Sequence, residues 1–225
     1  MFKNYKKDRC YIIAEIGGNF TTFEQAKCLI DAAYDCEVDA VKLQTYRADT
    51  ISSKLAMFDM ENTGVASQHE LFKKYEVNEI LHKSVFEYAE SKGLDWFSTP
   101  SHDTDVDLLE KCGVGAHKIG SDDAVNIPYL KYVAQTGKPI ILSTGMSSIG
   151  EVEKAYYTLI DSGAPSVALL HCTSNYPASL ESVNLKVMGT LAKVFNSAIG
   201  YSDHTEGIEV SLAAVALGAT VIEKH

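Results

Sequence analysis

Two lysines, Lys42 and Lys118, lie in short apolar runs close to their polar ends, and Thr99, Ser121, Ser143 and Ser202 occupy similar places in or after other runs. Two ammonium groups and several hydroxyl donors are what phosphate or carboxylate oxygens need, so together they describe an anion site. His204 and His225 end two further runs. Neutral imidazoles completed by water and a substrate oxygen suit an open site for Mn²⁺ or Mg²⁺ better than a closed zinc site. His171 ends the preceding run as a possible third contributor, although Leu169 and Leu170 beside it suit a core-facing role equally well. Glu15 places a carboxylate at the end of an otherwise apolar run, where it can act in a chemical step or pair with one of the lysines. Taken singly, a lysine at a strand end is usually a solvated rim residue and a lone histidine a satisfied one. Joint placement carries the argument, and His69, His82, His102 and His117 have no comparable placement.

These residues need a scaffold that brings distant run ends together. Strands are expected at Tyr11 to Ile16, Ala40 to Thr45, Asp95 to Thr99, Ala116 to Ile119, Pro139 to Ser143, Val167 to His171, Ala198 to Tyr201 and Thr220 to Glu223. Most are continuously apolar, as parallel strands covered on both faces should be. Helical spacing of apolar residues separates them: Ala26, Leu29, Ile30 and Ala33; Val152, Ala155, Tyr156 and Leu159; Leu185, Met188, Leu191 and Ala192. Gly93, Gly113, Gly137, Gly163 and Gly218 fall near helix ends, each leading into the next strand. The pattern predicts an α/β fold, a (β/α)8 TIM barrel, in which the carboxyl-terminal strand ends converge on one mouth.

One domain over residues 1–225 is expected, slightly short of the roughly 250 residues of a complete barrel. The chain stops at His225 on the last residue of the eighth strand pattern, with no helix after it. That predicts an uncovered seam with Val221 and Ile13 facing outward. The connector from Arg47 to about Leu94 breaks the rhythm and holds one clear helix, Asn78 to Ser91. Residues 48–68 within it are a candidate lid, the alternative being a solvated excursion.

The chain is 46% hydrophobic and carries a net charge of -10, which supplies one core and argues against a nucleic-acid partner. Five cysteines, an odd number without a C-x-x-C pair, suit a reducing compartment, and the surroundings of Cys28 and Cys172 suit buried thiols. The amino-terminal MFKNYKKDRC is basic but lacks a long apolar region, so a cytoplasmic protein with no membrane partner is expected.

The runs IAEIGGN, VKLQTY, FSTP, HKIGSDD, ILSTGMSSIGEVEKA, HCTSNYP, GYSDHTEGIE and ALGATVIEKH, in order from Tyr11 to His225, resemble the sialic acid synthase family. GYSDHT and IEKH together are its most specific motifs. Members of that family condense phosphoenolpyruvate with an N-acetylated amino sugar. The resemblance implies a β/α barrel, often followed by a small antifreeze-like domain that is expected to be missing here, and a homodimer in full-length form. By the same resemblance Lys42, Thr99, Lys118, Ser121, Ser143 and Ser202 bind phosphoenolpyruvate, and His204 and His225 hold Mn²⁺ or Mg²⁺. Glu15 lies near the reacting carbons, and Gln44, Asp123 and Tyr176 lie near an N-acetylmannosamine-like sugar. Ser174 and Asn175 cover the position of a phosphate-contacting asparagine. The chain departs from the family pattern at Asn19-Phe20, commonly Asn-His, at Pro100-Ser101-His102, commonly Pro-Phe-Asp, and at Asp123, usually Glu.

Three other readings stay open at this point. One is a legionaminate or pseudaminate type of synthase on the same scaffold. Another is an aldolase using Lys118 or Lys224 as a Schiff base. The third is a truncated barrel that binds a ligand or partner without turnover.

Overall fold

The computed structural model describes residues 4–6, 8–60 and 64–225. Eight strands form the barrel: β1 (Tyr11–Glu15), β2 (Ala40–Thr45), β5 (Asp95–Pro100), β6 (His117–Ile119), β7 (Ile140–Ser143), β8 (Val167–Cys172), β9 (Ala198–Asp203) and β10 (Val221–Lys224). All pair in parallel and close a ring in the order β1-β10-β9-β8-β7-β6-β5-β2. Each expected strand is present, with ends shifted slightly; β9 runs past Tyr201 to Asp203.

Period-two alternation sorts every strand between two environments. Tyr11, Ile13, Ala40, Phe97, Ile141, Leu170 and Val221 meet inside the ring as an apolar plug. Two residues further along their strands stand Glu15, Lys42, Thr99, Ser143 and Glu223, at the carboxyl-terminal mouth. This register corrects the expected outward seam, because Ile13 and Val221 both point into the plug. The outward residues there are Ile12 and Ile222, which pack with the outer core.

Helices cover the outside: α1 (Phe23–Asp35), α4 (Glu79–Ser91), α5 (Asp103–Cys112), α6 (Ile127–Ala134), α7 (Ile149–Asp161), α8 (Lys186–Val194) and α9 (Glu209–Ala216). In α7, Ser148 and Glu151 form a reciprocal capping box at the start, and Val152, Ala155 and Leu159 are buried along one face. Truncating Leu159 to Ala would cost about 2–5 kcal/mol. Gly113 ends α5 in the left-handed region at φ 79°, and the other four expected glycines also have positive φ. None of the helices among the described residues is long and apolar enough to cross a membrane. Cys172 is buried as expected, whereas Cys28 is exposed, because the buried stripe of α1 runs through Ala26, Ile30 and Ala33.

The connector after β2 has more structure than one helix. It holds α2 (Ala48–Ile51), an antiparallel hairpin of β3 (Met57–Met60) and β4 (Gly64–Ser67), and α3 (Gln68–Tyr75), before α4 begins. Phe58 of the hairpin and Tyr46 at the end of β2 both pack edge-on against Phe72 of α3, which seats this segment over the mouth. Positions 61–63 of the candidate lid lie outside the described residues.

Candidate active site

A cavity of about 440 Å³ opens at the carboxyl-terminal mouth. Of the expected site residues, Lys42, Gln44, Thr99, Lys118, Ser121, Ser143, Ser174, Tyr176, Ser202, His204 and His225 line it. Glu15 lines an adjoining chamber of about 340 Å³ that shares Gln44 and Tyr176 with it. Asp123 and Asn175 line neither. A short 3₁₀ turn at Ser121–Asp123 sets Asp122 toward the cavity instead, while Asp123 turns back to Asn126. Burial pushes the Asp123 carboxyl up to about 6, with the Asp122 charge adding to the rise. Asn175 is exposed on the loop after β8.

The two lysines are not bare cations. Lys42 donates to Glu15, its partner in the strand register, and to Thr99 Oγ1 at 2.9 Å. Lys118 donates to Ser143 Oγ at 2.7 Å and to the Ile119 carbonyl at 3.2 Å. Each ammonium has three donors, so each keeps one uncommitted N–H for a ligand. Between them stands Glu223, 3.8 Å from Lys42 and 3.7 Å from Lys118. Its Oε1 accepts from Ser202 at 2.8 Å, and its Oε2 is buried with no hydrogen-bond partner. Burial would raise the Glu223 carboxyl, yet Lys118, Lys42 and His225 hold it well below the usual carboxylate range. Burial likewise works against charge on Lys42, but Glu15 and Glu223 raise it; on Lys118 burial prevails and its ammonium is lowered.

Glu223 was missed by the sequence reading. Its signal is the one that marks Glu15, a carboxylate at the polar end of an apolar strand, and it lies two residues before His225 in IEKH. Glu15 itself is fixed by two contacts, Lys42 and the Gly17 backbone N–H at 2.6 Å. Gly17 has to be glycine at this crossing: a Cβ there would stand 2.5 Å from Gln44 N and 2.8 Å from Glu15 Oε1.

The imidazoles of His204 and His225 meet with ring centroids 4.3 Å apart, and Tyr176 stacks on His204 at 4.1 Å. His204 Nδ1 donates to the Thr173 carbonyl at 2.6 Å, which assigns the lone pair to Nε2. The Ser202 hydroxyl lies 3.2 Å from that Nε2 and 2.8 Å from Glu223, and its single proton can satisfy only one of them. Burial, with the nearby His225, lowers His204 to about 4, so its imidazole is neutral near pH 7. A neutral, aimed lone pair beside a second imidazole fits a divalent ion. The two nitrogens would be most of what the protein offers, since no cluster of three or more His, Cys, Asp or Glu ligands occurs among the described residues.

The remaining candidates turn away. His171 bonds the Val183 carbonyl at 2.7 Å and packs on Tyr201, the core-facing alternative. Lys224 points out of the barrel to Asp203 and the Thr205 carbonyl, which removes it as a Schiff-base amine in the cavity.

Comparison with known proteins finds relatives over nearly the whole chain. The N,N'-diacetyllegionaminic acid synthase of Campylobacter jejuni is 44% identical over 221 residues, covering 95% of this chain and 66% of that one. The N-acetylneuraminate-9-phosphate synthase of Homo sapiens is 35% identical, covering 96% of this chain and 61% of that one. A crystal structure of the N-acetylneuraminic acid synthetase of Leptospira borgpetersenii, in complex with citrate, matches with a TM-score of 0.85 at 34% identity, covering 96% of this chain and 73% of that one. The chain thus spans less than two thirds of the length of these two curated relatives. Residues 29–225 match the NeuB family model, and on that match the chain belongs to the NeuB family.

Proposed function

We propose that this chain is the catalytic barrel of a synthase that joins phosphoenolpyruvate to an N-acylated amino sugar, giving a sialic-acid-type nonulosonic acid and phosphate. The observation that carries the reading is the buried set Lys42, Lys118 and Ser143, with the half-buried Thr99 beside Lys42 and the buried Ser202 beside Glu223, all lining one cavity of a NeuB-family barrel. Relatives are named for legionaminic, pseudaminic and N-acetylneuraminate 9-phosphate products, so the condensation is what they share.

Phosphoenolpyruvate brings about three negative charges, and the free N–H of each lysine, with the hydroxyls, would hold its phosphate and carboxylate and aim C3 at the sugar aldehyde. The C3 carbon bonds to the aldehyde carbon, whose oxygen becomes a hydroxyl on taking up a proton. The positive centre left at C2 adds water, and collapse of that tetrahedral centre breaks the C2–O bond and expels phosphate. Glu15, held by Gly17 and Lys42, lines the adjoining chamber and would steady the positive C2 or take the proton of the attacking water. Glu223 opposes the effect of burial on the charge of both lysines before the anion arrives. His204 and His225 would hold a Mn²⁺ or Mg²⁺ ion, which when bound supplies Lewis-acid polarisation of the sugar aldehyde.

The test is phosphate release from phosphoenolpyruvate by the native protein with a panel of N-acylated amino sugars, with and without Mn²⁺. Release that depends on both acceptor and metal supports the reading. Release with no acceptor, or none with any, contradicts it.

A further inference from the structure

We propose that Asp203, on the outer side of the barrel wall, is a positioning residue for the His204–His225 pair: with Lys224 it locks the ends of β9 and β10 together, so that both imidazoles are set before an ion arrives. The proposal rests on the reading of these histidines as metal ligands and says what holds them in place.

Ser202 and His204 face the cavity at the end of β9, and Glu223 and His225 face it at the end of β10. By strand alternation the residue between the members of each pair faces the other way. Those two residues, Asp203 and Lys224, are partners in the parallel register, and Lys224 Nζ stands 3.4 Å from Asp203 Oδ2. An ion pair on the outside of the ring thus backs the two imidazoles on the inside.

Asp203 is fully buried, and both of its oxygens are occupied. Oδ1 accepts from the Thr205 backbone N–H at 2.9 Å and from the Thr205 hydroxyl at 2.7 Å, a turn that fixes the chain on either side of His204. Oδ2 accepts from Ser211 of α9 at 2.6 Å, which ties the turn to the outer helix layer. Lys224 also donates to the Thr205 carbonyl, so it bridges both ends of that turn. Finally, the Asp203 carbonyl accepts the His225 N–H at 3.2 Å. His204 has a second anchor through its Nδ1 on Thr173, whereas for His225 the tie to Asp203 is the backbone link to β9.

Charge alone and position make opposite forecasts for Lys224. If Asp203 only added negative charge behind the site, removing the lysine would strengthen the hold on a cation. If the pair fixes the strand ends, losing either member strands the other and loosens both histidines.

The experiment is calorimetric titration of Mn²⁺ alone into the native protein and into Asp203→Asn, Lys224→Met, Lys224→Arg and the Asn/Met double variant. Groups that orient metal ligands are typically worth about 10- to 100-fold in affinity, so Asp203→Asn and Lys224→Met should each weaken Mn²⁺ binding by about 10-fold or more. Lys224→Arg should keep most of the native affinity, and the double variant should bind no more weakly than the worse single one. Phosphoenolpyruvate affinity measured without metal should stay native throughout, because the anion site hangs on other strands. Lys224 is partly exposed, so its Met and Arg variants decide the matter even if Asp203→Asn fails to fold. Native Mn²⁺ affinity in the variants, tighter binding by Lys224→Met, or an equal loss of phosphoenolpyruvate affinity overturns the positioning role and leaves the metal pair standing. Absence of Mn²⁺ binding by the native protein overturns both.

Discussion

The Glu15 carboxylate and the Lys42 ammonium face each other across the β1–β2 register and are in direct contact, both buried just above the apolar plug. Removing one member of such a pair strands the other, at a cost of about 3–5 kcal/mol. Lys42→Met should therefore lower stability in denaturant unfolding by about that much, and adding Glu15→Gln should restore most of the loss. Strict additivity of the two losses would mean the pair is not coupled.

Glu223 gives a complementary expectation. Glu223→Gln leaves Lys118 and Lys42 facing each other with less compensation, so the free protein is expected to be destabilised by about 3 kcal/mol. The anion then supplies the missing charge. Saturating phosphoenolpyruvate should raise the melting temperature of the variant more than that of the wild type. Equal shifts would show that Glu223 does not balance the anion-binding lysines.

Asp105 on α5 is buried with one oxygen unpartnered, and burial raises its carboxyl to about 6. Since its unfolded value is the ordinary 3.8, the unfolded chain loses this proton more readily than the folded one. The penalty is absent below about pH 3.8, grows as pH rises, and is complete above about pH 6. Asp105→Asn should thus stabilise the protein at pH 7 by up to about 3 kcal/mol, with the gain fading as pH falls toward 4. Thermal melts across that range check it, and a gain independent of pH would contradict the assignment.

The Gly17 crossing makes a local prediction. A Cβ there meets Gln44 N and Glu15 Oε1 at 2.5 and 2.8 Å, so Gly17→Ala must push Glu15 off its backbone contact. Overpacking of this kind costs about 1–3 kcal/mol. Turnover should fall much further than stability, because the displaced carboxylate is the one proposed to act at the reacting carbons. Wild-type turnover in this variant would remove Glu15 from the chemistry.

What could be read from the sequence follows from how each feature is encoded. The barrel was legible because strands covered on both faces are written as continuous apolar runs. Lys42, Thr99 and Ser143 stood out because each interrupts such a run near its mouth end. The direction of a side chain depends on strand phase, which a short run leaves open; Ile13 and Val221 were expected outside for that reason and lie inside. The turn at Ser121–Asp123 likewise chose Asp122 over Asp123 by a local phase that residue spacing does not carry. The β3–β4 hairpin rests on contacts of Phe58 and Tyr46 with Phe72, distant in sequence, and has no periodicity long enough to announce it. The pairing of both lysines with buried glutamates is a property of the closed ring alone, since it joins β1, β2, β6 and β10.

Calorimetric titration of phosphoenolpyruvate into the native protein and into Lys118→Met tests the central claim most directly. Lys118 is buried, faces the cavity and holds an N–H in reserve, so losing it should weaken binding by roughly 1.5–3 kcal/mol, about 10- to 100-fold. Unchanged affinity in a folded Lys118→Met protein would contradict the assignment of this cavity as the phosphoenolpyruvate site.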